Sequence, residues 1–115
     1  MKAQKLWAQI IGIILLLVGL LGFFMSSPLL GIFEVNMLHN LVHIITGAVF
    51  LWAGFAKKAP VKKINQWLGV IYVIVGVIGF FGALEFLNVA GGNDPDNWLH
   101  LVIGVVSALI GWKSK

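Results

Sequence analysis

NLVHIITG (Asn40–Gly47) and NWLHLVIG (Asn97–Gly104) each spell asparagine, two apolar residues, histidine, three apolar residues and glycine. A chain that is 60% hydrophobic carries this polar signature twice, each time inside an apolar run. Sliding the 115-residue chain by the 57 residues between Asn40 and Asn97 aligns it with itself without a gap. Gly12, Ile14, Val18, Gly19, Gly22, Phe23 and Phe24 fall on Gly69, Ile71, Val75, Gly76, Gly79, Phe80 and Phe81, so VGLLGFF meets VGVIGFF. Asn36, Asn40, His43, Gly47, Val49 and Gly54 fall on Asn93, Asn97, His100, Gly104, Val106 and Gly111. Apolar bias alone matches several Val, Ile or Gly positions, but hardly two asparagines and a histidine in register. The chain therefore reads as two copies of one helical hairpin, repeat one over about 6–56 and repeat two over about 63–113, joined by a basic linker at 57–63.

Only 10% of the residues are charged, against about 25% in a soluble domain, so the solvent is lipid. Four apolar stretches stand out, roughly Leu6 to Met25, Met37 to Phe55, Trp67 to Phe86 and Trp98 to Trp112. About 20 helical residues cross a hydrocarbon core of about 30 Å, and the last stretch is short of that by a turn. All four are apolar around nearly their full circumference, which leaves no charged face for water. The expected fold is all-α: a single membrane domain over residues 1–115, a four-helix bundle built from two hairpin repeats. Each copy has an even number of spans, so the repeats run parallel, related by an axis along the membrane normal.

The eight lysines sit in three places: Lys2 and Lys5, the KKAPVKK segment at 57–63, and Lys113 with Lys115. All three share one side of a four-span protein, and Glu34, Glu85, Asp94 and Asp96 lie at the other. Short lysine-rich loops stay in the cytoplasm, which puts both termini inside and SPLLGIFEVN and NVAGGNDPDN outside. The net charge of +4 is then a topology signal with anionic lipid headgroups as counter-ions, and nucleic acid is not a partner. A signal peptide is the rival for the first stretch, but no clean small-residue cleavage pattern precedes the outer loop. With no cysteine, disulfides, thiolate metal sites and cysteine nucleophiles are excluded.

Gly12 and Gly19, Gly47 and Gly54, Gly69 and Gly76, and Gly104 and Gly111 are each seven apart, one stripe per helix at the left-handed packing period. Lipid gives helices no hydrophobic reason to associate, so close approach across small residues must do it. Asn40, His43 and Gly47 share a helix face, as do Asn97, His100 and Gly104. His43 lies about 10 Å into its span from the outer end, and intramembrane ionisable groups face the bundle interior.

Several roles suit that face. The imidazoles can act as packing glue, donating to a carbonyl or to asparagine, in a polar network of Asn36, Asn40, Asn97 and Glu85. Haem is the alternative cofactor: His43 and His100 as the two axial ligands of a b-type group for electron transfer, with Gly47 and Gly104 leaving room for the macrocycle. Metal at the outer face is a third role, since the repeat carries His39 onto Asp96 and offers His39, His43, Asp96 and His100 as ligands. Helix capping accounts for some of the same residues, with Asn36 and Asn93 or Asp94 as N-caps, Pro95 at the first helical position and Asp96 in the first turn. A transport pathway has only Thr46, Tyr72 and Ser107 below the outer leaflet. No triad, phosphate loop or paired-carboxylate cleft is present, so an enzyme is not expected.

The segment GIFEVNMLHNLVHIITGAVFLWAG, with the apolar spans around it, resembles small bacterial four-span membrane proteins of the domain of unknown function 4383 family. The resemblance is most specific at Asn36, His39, Asn40, His43 and Gly47, echoed at Asn97, His100 and Gly104. It implies a multi-pass protein of the bacterial inner membrane, and the family brings no activity with it. The expectation is a non-enzymatic membrane protein without a required cofactor, a subunit or scaffold whose partners are the bilayer and a membrane protein or a second copy of itself.

Overall fold

The computed structural model describes residues 2–24, 36–87, 89, 91–92 and 94–115. Glu34, Pro28, Asn93 and the outer segment SPLLGIFEVN up to residue 35 fall outside that set. Four helices follow in order: α1 (Lys2–Phe24), α2 (Met37–Phe55), α3 (Val61–Phe80) and α4 (Pro95–Lys113), with a 3-10 turn at Glu85–Leu87 between the last two. No strand occurs among the described residues. By length and composition α1, α2 and α3 are each able to cross a membrane. Helix α4 matches α2 at 19 residues, but Pro95, Asp96 and Asn97 make its first turn polar.

The third helix sits about six residues earlier than the apolar stretch Trp67–Phe86 suggests, and local chemistry gives the reason. Pro60 fixes its own φ ahead of the first turn, and its carbonyl accepts from Ile64 N–H at 3.0 Å. At the other end Gly82 adopts φ +79°, the left-handed conformation that stops helices. The N–H groups of Phe81 and Ala83 fold back onto Ile78 O at 3.1 and 3.2 Å. Glu85 consequently lies beyond the helix and is exposed.

The molecule is inverted relative to a soluble domain. Gln4, His39, Asn40, His43, Asn65, Asp96, Asn97, His100 and Ser107 are buried, while the exterior is leucine, isoleucine, valine, phenylalanine and tryptophan. That distribution suits hydrocarbon as the surrounding medium. Exposed Trp52, Trp67 and Trp112 ring the end that carries the lysines, where an amphipathic indole sits between tails and headgroups.

Two kinds of contact hold the helices, and they divide by location. Inside each hairpin, α1 with α2 and α3 with α4, glycines let the backbones touch. A Cβ added at Gly12 would meet Leu51 N at 2.9 Å, and one at Gly69 would meet Ala108 N at 2.5 Å. Gly47 lies against Leu16 N, and Gly104 against Val73 N. Gln9 Nε2 donates to Gly54 O at 2.8 Å, and Gln66 Nε2 to Gly111 O at 3.0 Å. Between the hairpins an apolar core to which Leu15, Phe50, Val61 and Ile103 contribute is crossed by polar contacts. Asn65 Nδ2 donates to Gln4 Oε1 at 2.8 Å, and Gln4 Nε2 donates to Ile110 O at 2.7 Å. Trp7 Nε1 donates to Ser107 Oγ at 2.8 Å, and Tyr72 and Thr46 join through their hydroxyls at 2.8 Å.

Gln4, with no exposed surface, is the centre of the lysine-side junction. Gln4→Leu removes its side-chain bonds to Asn65, Ile110 and Ser114 and leaves the buried Asn65 amide with only the Gln4 carbonyl as its acceptor there. The expected cost is about 2 kcal/mol, read as a lower melting temperature in detergent.

Candidate metal centre

Helix α2 carries His39 and His43 one turn apart, and α4 carries His100. The entry of α2 is fixed by Asn36, whose Oδ1 accepts from His39 N–H at 2.8 Å while its Nδ2 donates across the bundle to Phe86 O at 2.9 Å. The entry of α4 is fixed by Asp94, whose Oδ1 accepts from Asp96 N–H at 2.9 Å, with Pro95 as the first helical residue. Each cap satisfies a helix-end donor that has no partner within the helix. Each thereby holds the following turn in place.

The three imidazoles converge between the hairpins. Ring centroids are 4.4 Å apart for His39 and His43, 5.8 Å for His39 and His100, and 6.2 Å for His43 and His100. All three residues are at most 2% exposed. One nitrogen from each ring lies within 4.8 Å of the other two. Among the described residues, neither nitrogen of His43 has a hydrogen-bond partner, nor does Nδ1 of His100. As packing glue, His43 would donate to a carbonyl or to asparagine; it makes no such bond and meets other rings instead.

The asparagines take a different place. A Cβ at Gly22 would run into the Asn40 side chain, and one at Gly79 into Asn97 Oδ1, so each asparagine packs inside its own hairpin. Asn97 Nδ2 donates to Gly92 O at 3.1 Å. Glu85 is exposed beyond α3 and takes no part in a buried network with them. Asp96 is buried at 1% exposure one turn before His100, yet it is not among the three side chains whose ligand atoms close within 4.8 Å.

The residues do not fit a haem. The space beside Gly47 and Gly104 is filled by the Leu16 and Val73 backbones, at 2.7 and 2.5 Å from where a Cβ would stand. These glycines serve helix contact and leave no slot for a macrocycle. The pocket beside the imidazoles measures about 70 Å³, whereas cofactor-sized sites run to several hundred.

Thr46 and Tyr72 join the histidines in lining that pocket, and the Tyr72 ring lies 5.8 Å from His100. Neither belongs to the repeated signature. Their signal is the mismatch between the copies: the 57-residue shift carries Tyr72 onto Leu15 and Thr46 onto Ile103, and likewise Asn65 onto Ala8, Gln4 onto Val61 and Ser107 onto Phe50. Each of those five apolar mates is itself buried. A polar residue opposite an apolar core position in the other copy therefore marks the bundle axis.

A family model described as a domain of unknown function, DUF4383, matches residues 5–113. The chain belongs to the domain of unknown function 4383 family. No curated protein and no solved structure matches it. The matched span of this 4383-family protein contains all three histidines, both capping residues and the pocket.

Three neutral imidazoles are a good donor set for a first-row divalent ion. Around one ion at about 2.0–2.1 Å, their nitrogens would stand roughly 3.4 Å apart, closer than the 4.8 Å that spans them here.

Proposed function

We propose that this chain is a non-enzymatic, multi-pass protein of the bacterial inner membrane that holds one divalent transition-metal ion on His39, His43 and His100. The observation that carries this is His43: fully enclosed, with neither ring nitrogen partnered among the described residues, beside two further imidazoles. Burying a polar group without a partner costs a few kcal/mol, and an ion bound by those nitrogens offsets that cost. The lysine distribution supports a topology with both termini cytoplasmic, which puts the site in the outer half of the bilayer. The matched glycine contacts of the two hairpins support a duplicated origin and a fourth span in α4.

Cobalt(II) added to the purified, chelator-stripped protein in detergent tests the proposal. One equivalent binds per chain and gives the intense visible bands of a low-symmetry, four- or five-coordinate ion. A protein that takes up no cobalt, or shows only the pale spectrum of the aqueous ion, overturns it.

A further inference from the structure

The pocket of about 70 Å³ touches His39, His43 and His100, and is completed by Val42, Thr46, Tyr72 and a few aliphatic side chains that include Ile71 and Val75. Resting on the metal site proposed above, we infer that this pocket holds the ion's exchangeable ligand and admits a small neutral diatomic molecule from the lipid side. With three imidazoles as ligands and Asp96 outside their set, a coordination position remains open among the described residues, as in metal sites that bind an external ligand.

Three features select the ligand. Size is the first: the space is several-fold too small for an organic substrate and ample for two atoms. The lining is the second. Thr46 Oγ1 bonds Val42 O at 2.9 Å, lies 3.4 Å from His43 O, and shares a 2.8 Å contact with the Tyr72 hydroxyl in which either oxygen can donate. The two hydroxyls are thus engaged with the protein and with each other, and apart from the imidazoles the other walls are hydrocarbon. Access is the third: Val42 and Ile71, which form the outer wall, are 37% and 50% exposed on the apolar exterior. A neutral diatomic dissolves in hydrocarbon and arrives by that route; an ion does not.

Nitric oxide is the probe. The full-length protein in detergent is loaded anaerobically with iron(II), the iron is measured by elemental analysis, and nitric oxide is added. The expected result is a half-integer-spin iron–nitrosyl signal in electron paramagnetic resonance, one per bound iron. Val75→Phe and Ile71→Trp fill the pocket from two positions. At least one of them keeps the iron and weakens nitric oxide binding ten-fold or more. Iron bound without a nitrosyl signal overturns the inference and leaves the metal site standing, as does full nitric oxide binding in both iron-loaded variants. Absence of bound iron, together with absence of bound cobalt, overturns both.

Discussion

Protein carrying His43→Leu binds cobalt(II) at least a hundred-fold more weakly than the unaltered chain, while its metal-free form melts no lower. Altering a group that merely supports a metal ligand costs 10–100-fold in affinity, so losing one ligand of three costs more. A hundred-fold is about 2.8 kcal/mol. The second half of the prediction separates a ligand from a packing residue. Leucine is close to histidine in volume and removes two buried nitrogens that bond nothing; exchanging an unsatisfied polar group for an apolar one of similar shape is neutral or stabilising. Calorimetry on the stripped protein and a competition titration with a metal indicator check the two halves. A melting temperature that falls with cobalt affinity unchanged would return His43 to a structural role.

Gly104→Leu prevents α3 and α4 from pairing. A Cβ at this position already stands 2.5 Å from Val73 N and 2.8 Å from Gly69 O, and both are backbone atoms of a helix that cannot step aside singly. Alanine alone costs about 1–3 kcal/mol through overpacking, and the longer side chain exceeds what a small bundle holds in reserve. Gly47→Leu does the same to the first hairpin, against Leu16 N. Alanine at Gly82 is the control, because none of the described residues lies within 4 Å of its Cβ position; there the penalty is the left-handed backbone, about 1–2 kcal/mol. Size-exclusion profiles and helical circular dichroism after mild heating distinguish the three. A Gly104→Leu protein as stable as the parent would show that the hairpin is not held by close backbone contact.

The architecture was legible because lipid imposes few solutions. Runs too apolar for water, glycines seven apart and lysines confined to alternate connections leave little besides a helical bundle. The limits of α3 were not legible, because hydropathy reports oil and a helix also needs its ends. Pro60 and Gly82 set those ends, and the resulting frame takes Asn65 into the bundle and leaves Glu85 outside. Within the candidate site, the repeat pointed to His43 and His100, and the i, i+4 spacing pointed to His39. The meaning of Gly47 and Gly104 lay hidden, since a glycine beside a histidine looks the same whether it clears space for a ligand or for a neighbouring helix. Tyr72, Thr46, Gln4 and Asn65 escaped for a different reason. Self-alignment rewards identity, and the residues that join the two copies are those in which the copies differ.

The placing of the close glycine contacts within each hairpin, and of the histidines on both, bears on how the protein is made. Two of the three imidazoles arrive with the first hairpin and the third only with α4, so the three are not together until α4 has been made. The metal proposed for this site would then act as a rivet between pre-assembled halves. On that proposal the two halves, cut at the Lys57–Pro60 connection and produced as separate polypeptides, associate more tightly with cobalt(II) than after a chelator has removed it.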